Sequence, residues 1–516
     1  MLSLVFLLLA VVLWNGLGVF WPSAVAEVTL ADGRSLLGER IMSQTNPDTG
    51  QRSTQFKTGN RELDPARQDF CWLPDETIRA ITWPPDACVL ERSENGNFYG
   101  YLKRVGGPDV AGPSEAPLPE QLAAAMDAVQ RKSATAVAPL AAELLAVSRE
   151  DEYTQDELLR LRYRRSKDSE GRIAELQTRA QQIKERSDRL VAQQQQRIAQ
   201  LRQDVAVFRT AAGRDVPIAL VDIVRFYRPN AMGWPAKCRQ YLAKVGELLW
   251  DNPRQSNTEG GLFPAIFGTV MLIFLMAVTC FPLGVLAGIY LGEYAKEGLL
   301  VRIVRVGVNN LAGIPSIVYG IFGLGFFVYG VGALVDEWLF PERVAAGTPT
   351  FGTGGILWAS LTLGLLTVPV VIVSTEEALR AIPRGIREGS LALGATKFQT
   401  LVRVLVPMAS PGMMTGFILA MARAAGEVAP LMITGVMKIA PQLPVDGSFP
   451  FFHLDRKFMH LGFHIYDVGF QSPNVEASKP MVYVTTLLLL LIVLAMTSVA
   501  IGLRNRMRRR YQLRTI

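Results

Sequence analysis

The chain has 516 residues, of which 49% are hydrophobic and 19% charged, with a formal net charge of +7. That apolar share exceeds what an ordinary soluble protein carries, and the charged share exceeds what a chain lying wholly in a membrane tolerates. A membrane part and a sizeable aqueous part are both expected. In such a protein the positive excess reports cytoplasmic Lys and Arg, not nucleic-acid binding. The four cysteines, Cys71, Cys88, Cys238 and Cys280, are too few and too scattered for a disulfide framework or a zinc motif. Cys71 and Cys88 can pair only if their domain is extracytoplasmic; free thiols are the alternative.

Residues 1–22 read as a first span, apolar from Leu2 to Val19 and only just long enough to cross. The small-residue run Ser23-Ala24-Val25-Ala26 looks like a signal-peptidase site, so a cleaved signal is the rival reading, and a start upstream of Met1 is also open. Residues 27–110 read as a small β domain. Glu27–Arg34 runs into an Asp32-Gly33 turn, Thr77–Trp83 is rich in β-branched residues, and Glu94-Asn95-Gly96-Asn97 marks a hairpin. Gly and Pro make a linker of 107–119. Residues 119–209 are helical in composition, with a partial heptad seam of Leu176, Ala180, Ile183 and Leu190 interrupted by Ser187 and Gln194. Two antiparallel helices, or one helix folding back near Ser166 to Gly171, would make a solvated stalk, with a dedicated partner-binding coil as the alternative. Residues 215–227 return to β structure. Trp234 to Trp250 is amphipathic and suits a membrane surface, so 215–250 closes an extracytoplasmic α+β module covering 23–255.

Further apolar runs at 262–290, 304–333, 354–375, 410–436 and 481–503 bring the expected spans to six. The fold class is thus a mainly α polytopic membrane protein, its membrane domain covering 256–510, with the α+β module attached. Arg504, Arg506, Arg508, Arg509 and Arg510 follow the last run and belong in the cytoplasm. Counting back puts the loop 376–409 inside, with Lys296, Arg302 and Arg305. Residues 437–480 and the module fall outside, and both termini inside.

The stretch Glu388 to Pro407, EGSLALGATKFQTLVRVLVP, is polar between apolar neighbours. Gly394 permits a sharp break between two short helices. After it Phe398, Leu401, Val402 and Leu405 make one apolar face, and Pro407 is expected to end that helix. A short amphipathic helix of this kind fits a groove in a soluble partner; a plain connector is the other reading.

Two places put polarity into apolar runs. Arg423 lies twelve residues past Pro411, which as continuous helix is about 18 Å along and near mid-bilayer. Glu427 follows one turn later, within pairing reach. Charge at that depth costs at least ~2.5–3.5 kcal/mol per group. Either the pair is structural, or Arg423 offers planar donors to a passing anion while Glu427 holds it in place. Small Ala424, Ala425 and Gly426 allow close helix approach. Asn309, Asn310 and Pro315-Ser316 interrupt the 304–333 run, as a packing kink or as part of a path. His453, His460 and His464 lie in 437–480. The i,i+4 pair has metal-ligand spacing, but the aromatic neighbours favour a packed mouth loop, and no metal is assigned.

The Glu388 stretch resembles the EAA loop of ABC-importer permeases, E-A-A-x3-G-x9-I-x-L-P. Gly389 and Ser390 stand for the two alanines, and Val404 and Val406 for the Ile and Leu. With AIPRGIREGSLALGATKFQTLVRVLVP, ARAAGEVAPLMITG, GIPSIVYGIFGLGFF and AGIYLGEYA, the region 255–510 looks like PstA, the permease family of phosphate-specific ABC importers. That resemblance implies a transport subunit of the inner membrane rather than an enzyme. It implies a PstC-like second permease, a dimer of PstB-like ATPases and a PstS-like binding protein as partners, with membrane lipid around it and no nucleic acid. It assigns Glu388, Gly389, Ser390, Gly394, Val404 and Pro407 to the coupling loop, and Arg423 and Glu427 to the path; Asn309 and Ser316 are added to the path from the interrupted 304–333 run alone. The alternatives are another oxyanion, sulfate or molybdate, or a membrane-anchored sensor or scaffold. The family's compact members lack anything like residues 23–255. No G-x4-G-K-[ST] phosphate loop occurs in the sequence, and no cofactor is expected.

Overall fold

The computed structural model describes residues 2–45, 50–60, 63, 69–107, 116–164, 170–254, 257–447, 449–472 and 475–511. Most of the expected 107–119 linker, and most of the expected reversal at 166–171, lie outside the described residues. Contacts divide the chain into two units, one of residues 1–16, 262–472 and 479–516, the other of 17–261 and 473–478.

Helix α1, Leu2–Gly18, has 17 residues, about 26 Å of helix, which is short of a full bilayer core. In the second unit β1 (Val25–Leu30), β2 (Ser35–Thr45), β3 (Arg52–Lys57), β4 (Phe70–Pro74) and β5 (Ile78–Thr82) form an antiparallel sheet ordered β4-β3-β2-β1-β5. A second sheet is built from β6 (Ala87–Arg92), β7 (Phe98–Gly106), β8 (Val205–Arg209), β9 (Asp215–Ala219) and β10 (Ile223–Tyr227), ordered β10-β6-β7-β8-β9. Counted from its own first strand, each sheet reads 4-3-2-1-5. In each, the fourth strand reaches the fifth through one 3-10 turn, Asp75–Thr77 and Leu220–Asp222, and leaves it at an isoleucine with φ −88° and ψ 113°. The module therefore holds the same five-strand unit twice. The strands foreseen within 27–110 are shared between the two sheets, and those of 215–227 close the second.

The helices are inserted between the second and third strands of the second sheet. Their chain ends rejoin where Gly106 pairs with Val205. Helix α2 (Leu118–Ala136) covers that sheet's core, setting Leu122, Met126 and Val129 on Leu90, Phe98, Phe208 and Ile218. Helices α3 (Ala138–Arg164) and α4 (Glu170–Leu201) run antiparallel. Val147, Ile183 and Leu190 pack between them, and Arg186–Glu143 (2.6 Å), Arg179–Glu150 (2.7 Å) and Arg172–Glu157 (3.2 Å) form an exposed ladder. The two sheets share a small core of Val25, Leu37, Val89, Tyr99 and Tyr227. Helix α5, Trp234–Trp250, follows the second sheet, and the two-residue strands Pro253–Arg254 and Glu259–Gly260 pair after it. Cys88 is buried in the second sheet with its thiol donating to Gly100 O (2.8 Å), while Cys71 sits on β4 of the first; all four cysteines are free thiols.

The membrane unit continues with α6 (Phe263–Tyr294), α7 (Leu299–Leu311), α8 (Ser316–Leu339), α9 (Pro341–Ala345), α10 (Ile356–Arg380), α11 (Arg384–Ala392), α12 (Lys397–Gly426), α13 (Ala429–Thr434), α14 (Leu461–Tyr466) and α15 (Val475–Tyr511). Among the described residues five helices are long and apolar enough to cross a membrane: α6, α8, α10, α12 and the stretch Ser478–Arg510 of α15. The sixth expected span is the shorter α1. Helix α10 is the most buried of the five and packs on α6 and α12 through missing side chains. A Cβ on Gly364 would fall 1.6 Å from Cys280 Sγ, and one on Gly416 would fall 1.7 Å from Ser374 Oγ, so these backbones approach as close as glycine allows.

Two expected spans differ from the structure. The run 304–333 is two elements, since the chain leaves helix at Gly313–Pro315 and restarts at Ser316. Proline at 315 has no N–H to give an α-helical ladder, which explains the restart. The run 410–436 breaks at Glu427, where the backbone turns extended (φ −80°, ψ 131°).

Candidate functional site

The loop after α10 is built from local signals. Glu388, Gly389 and Ser390 lie in α11. Gly394 follows with φ +87°, the left-handed region that glycine enters without a Cβ penalty. Thr396 then caps α12. Its hydroxyl accepts from Gln399 N (3.2 Å) while Gln399 Oε1 accepts from Thr396 N (2.9 Å), a reciprocal capping box. Ser390 and Thr400 hydroxyls meet at 2.9 Å, tying α11 to α12.

Pro407 does not end the helix, contrary to expectation. Helix α12 continues through it to Gly426, and the backbone widens into a π turn over Leu401–Leu405 just before it. Proline cannot donate to the carbonyl four residues back, and a wider turn is one way to pass that gap without a break. The expected single apolar face also divides. Leu401 and Leu405 turn inward onto Leu379, Ile382 and Met413, whereas Phe398 and Val402 stay exposed, with Leu393 almost fully so (91%). Val404 is half-buried. The loop thus has one side anchored in the unit and an apolar side free.

Sequence reasoning missed what holds this loop. Arg387 pairs with Glu293 of α6 (2.7 Å) and donates to the carbonyls of Leu379 (2.6 Å) and Ile382 (2.8 Å) at the end of α10. One turn deeper, buried Glu376 receives Arg305 of α7 (2.9 Å) and Arg380 (2.6 Å). Lys397 lies over the Tyr294 ring at 4.7 Å. Arg387 directly precedes the Glu388 motif, which was the available hint; its partner is 94 residues away in sequence.

Arg423 occupies the last turn of α12 rather than the middle of a continuous span, because the helix begins at Lys397 and stops at Gly426. A cation there is favoured by the helix C-terminus. Arg423 Nε lies 3.7 Å from Glu427 Oε1, a loose pair with both side chains partly exposed. Across from this break, the N-terminal turns of α8 approach α13. A Cβ on Gly320 would lie 2.7 Å from Pro430 Cα, and Tyr319 joins Met421, Ala424, Ala425 and Leu431 in one buried cluster. The two strings singled out above, GIPSIVYG and ARAAGEVAP, are therefore in contact. Ser316 starts α8 one turn before Gly320 and is half-buried. Asn309 lies exposed on α7, outside the five spanning helices.

The three histidines do not converge. His460 precedes α14 and its Nδ1 accepts from Gly462 N (3.1 Å), His464 meets Thr485 Oγ1 (3.2 Å), and His453 meets Asp446 (3.0 Å). Among the described residues no cluster of three metal-ligating side chains is present.

A helical membrane unit with an anchored, partly apolar loop between two of its spans has the build of a transport permease. Residues 284–510 match the family of binding-protein-dependent transport system inner membrane components, and the chain belongs to that family. It is a multi-pass membrane protein and the permease component of such a system, not its ATPase. It is 33% identical over 242 residues to the probable phosphate transport system permease protein PstA of Methanocaldococcus jannaschii, covering 46% of this chain and 74% of that one. It is 34% identical over 201 residues to the probable ABC transporter permease protein YqgH of Bacillus subtilis, covering 39% of this chain and 60% of that one. Among solved structures, the MetNI methionine ABC transporter in an inward-facing conformation aligns with 22% identity and a TM-score of 0.34, over 48% of this chain and 94% of that one.

Proposed function

We propose that the protein is the PstA-like subunit of an ATP-driven phosphate importer, forming half of the path with a second permease subunit. ATP is hydrolysed by a separate dimer of ATPase subunits, and a phosphate-binding protein delivers the anion from outside. Residues 376–409 face the cytoplasm with both termini, and 23–255 face out. The observation that carries this reading is Arg423, a guanidinium held loosely by Glu427 where the helix breaks and α8 and α13 meet. A planar cation with a 3.7 Å partner keeps donors available for a tetrahedral oxyanion. The name of the M. jannaschii relative supports phosphate as that anion. Glu388, Gly389, Ser390, Gly394, Val404 and Pro407 shape the coupling loop. ATP-driven closure would press on Phe398 and Leu393, and α12 would carry the motion to its far end at Arg423.

Labelled-phosphate uptake tests the assignment. Arg423→Gln lowers uptake at least about tenfold with protein level unchanged, the loss of one charged hydrogen bond to the anion (roughly 1.5–3 kcal/mol). Uptake blocked by unlabelled sulfate or molybdate, but not by phosphate, rejects the phosphate assignment while leaving the permease intact.

A further inference from the structure

Helix α5 is amphipathic in an inverted sense. Its charged side faces the protein: Lys244 pairs with Glu91 (2.5 Å), Glu247 pairs with Arg225 (3.0 Å) and with Arg254, and Leu248 is buried. Burial alone would raise the Glu91 carboxyl, but Lys244 and Arg225 outweigh it and hold the group below its ordinary range. The opposite side is apolar. Trp234, Cys238, Tyr241, Val245 and Leu249 recur at three- and four-residue spacing, with Leu242 beside them. Trp234, Leu242 and Trp250 are 73%, 68% and 74% exposed.

The covalent chain says what lies next to that side. Trp21, three residues beyond the end of α1, packs its ring 6.3 Å from both Trp234 and Tyr241. At the other end, Asn252 O accepts from Gly261 N (3.0 Å), because Pro253–Arg254 and Glu259–Gly260 pair as a short hairpin. Gly261 is two residues before α6 starts at Phe263. Both ends of α5 are thus pinned, by a ring contact and by a hairpin, to the points where the chain enters apolar helices. Tryptophan and tyrosine favour that depth, with an apolar ring in the acyl boundary and a polar edge among headgroups.

We propose that the Trp234–Trp250 helix is an interfacial anchor. Its Trp234/Leu242/Trp250 side lies in the headgroup–acyl boundary of the outer leaflet, and Lys237 and Arg239 reach to anionic headgroups. The ion pairs to Glu91 and Arg225 then fix the module to a helix that floats on the lipid. The inference needs the membrane helices but not the identity of the transported anion.

The test uses the full chain in vesicles of phosphatidylethanolamine and phosphatidylglycerol. The native cysteines are replaced, a nitroxide is attached at Leu242→Cys, and collision with oxygen is compared with collision with a water-soluble nickel chelate. The anchor predicts that oxygen exceeds nickel several-fold at 242 and that the order reverses at Arg79→Cys, an exposed position on β5. Nickel exceeding oxygen at 242, or low collision with both as under a protein partner, overturns it. With native cysteines kept, brominated lipid quenches tryptophan emission, and Trp250→Phe removes part of the quenchable fraction. An unchanged quenchable fraction overturns the anchor independently of whether the cysteine-free variant folds.

Discussion

His460 shows what a single residue contributes. Its ring is buried, Nδ1 accepts from Gly462 N, and Nε2 has no partner among the described residues. Burial disfavours the charged ring and lowers its pKa from 6.5 to about 4. The unfolded chain therefore binds the proton first as pH falls. Stability from this site is full above about pH 6.5 and is lost progressively down to about pH 4. Melting of the purified protein in detergent should fall over that window in wild type and flatten in His460→Gln, which stays neutral throughout. A wild-type curve with no slope between those values, relative to the variant, refutes the assignment. The sequence supplied this histidine only as half of an i,i+4 pair. The extended backbone at 460 (φ −139°) takes it out of the helix and ends the pairing. Gly394, by contrast, was readable because a left-handed break is a local property. The Arg387–Glu293 and Arg305–Glu376 pairs were not, because their members come from distant elements.

At the scale of elements, apolar runs located the spans but not their interruptions. Pro315 stops a helix and Pro407 does not, and the difference lies in the surroundings. At Pro407 a π turn and the buried Leu401 and Leu405 carry the helix through, whereas Pro315 follows the non-helical Gly313–Ile314. The same turn settles which side chains of the loop point outward. Phe398 is 66% exposed, while Leu401 three residues later is buried. An exposed aromatic beside exposed Leu393 stabilises the free loop very little, yet it suits a hot spot on a partner. Phe398→Ser should leave the melting temperature of the isolated permease unchanged and reduce co-purification of the proposed ATPase subunit about tenfold or more, the loss of roughly 1.4–2 kcal/mol at an interface. Equal retention of the ATPase would show that the loop is gripped elsewhere.

For the whole molecule, the central question is what the helical insertion adds to a module otherwise made of one five-strand unit used twice. The duplication could not be read from composition, because the second copy is interrupted between β7 and β8 by nearly a hundred residues and only strand order and turn geometry reveal it. The insertion has two parts with different physics. Its base is structural: α2 and Leu201 cover the second sheet's core, so removing them would expose Leu90, Phe98 and Phe208. Its tip is not. Buried Leu158 and Leu176 continue the seam past the Glu150–Arg179 pair (2.7 Å), and beyond them the cross-helix contact of Arg172 with Glu157 is exposed and worth about 0–1 kcal/mol. Replacing residues 159–175 by a glycine-rich turn of about four residues should therefore preserve buried Leu158 and Leu176 and the Val147/Ile183/Leu190 cluster, and shift melting by less than about 2 °C. If the hairpin is a solvated stalk, the proposed phosphate uptake also stays at the wild-type level in the shortened protein. A fall in uptake with unchanged melting and membrane abundance would reject the stalk and assign the tip to a partner, since the deletion then removes a surface without loosening the fold.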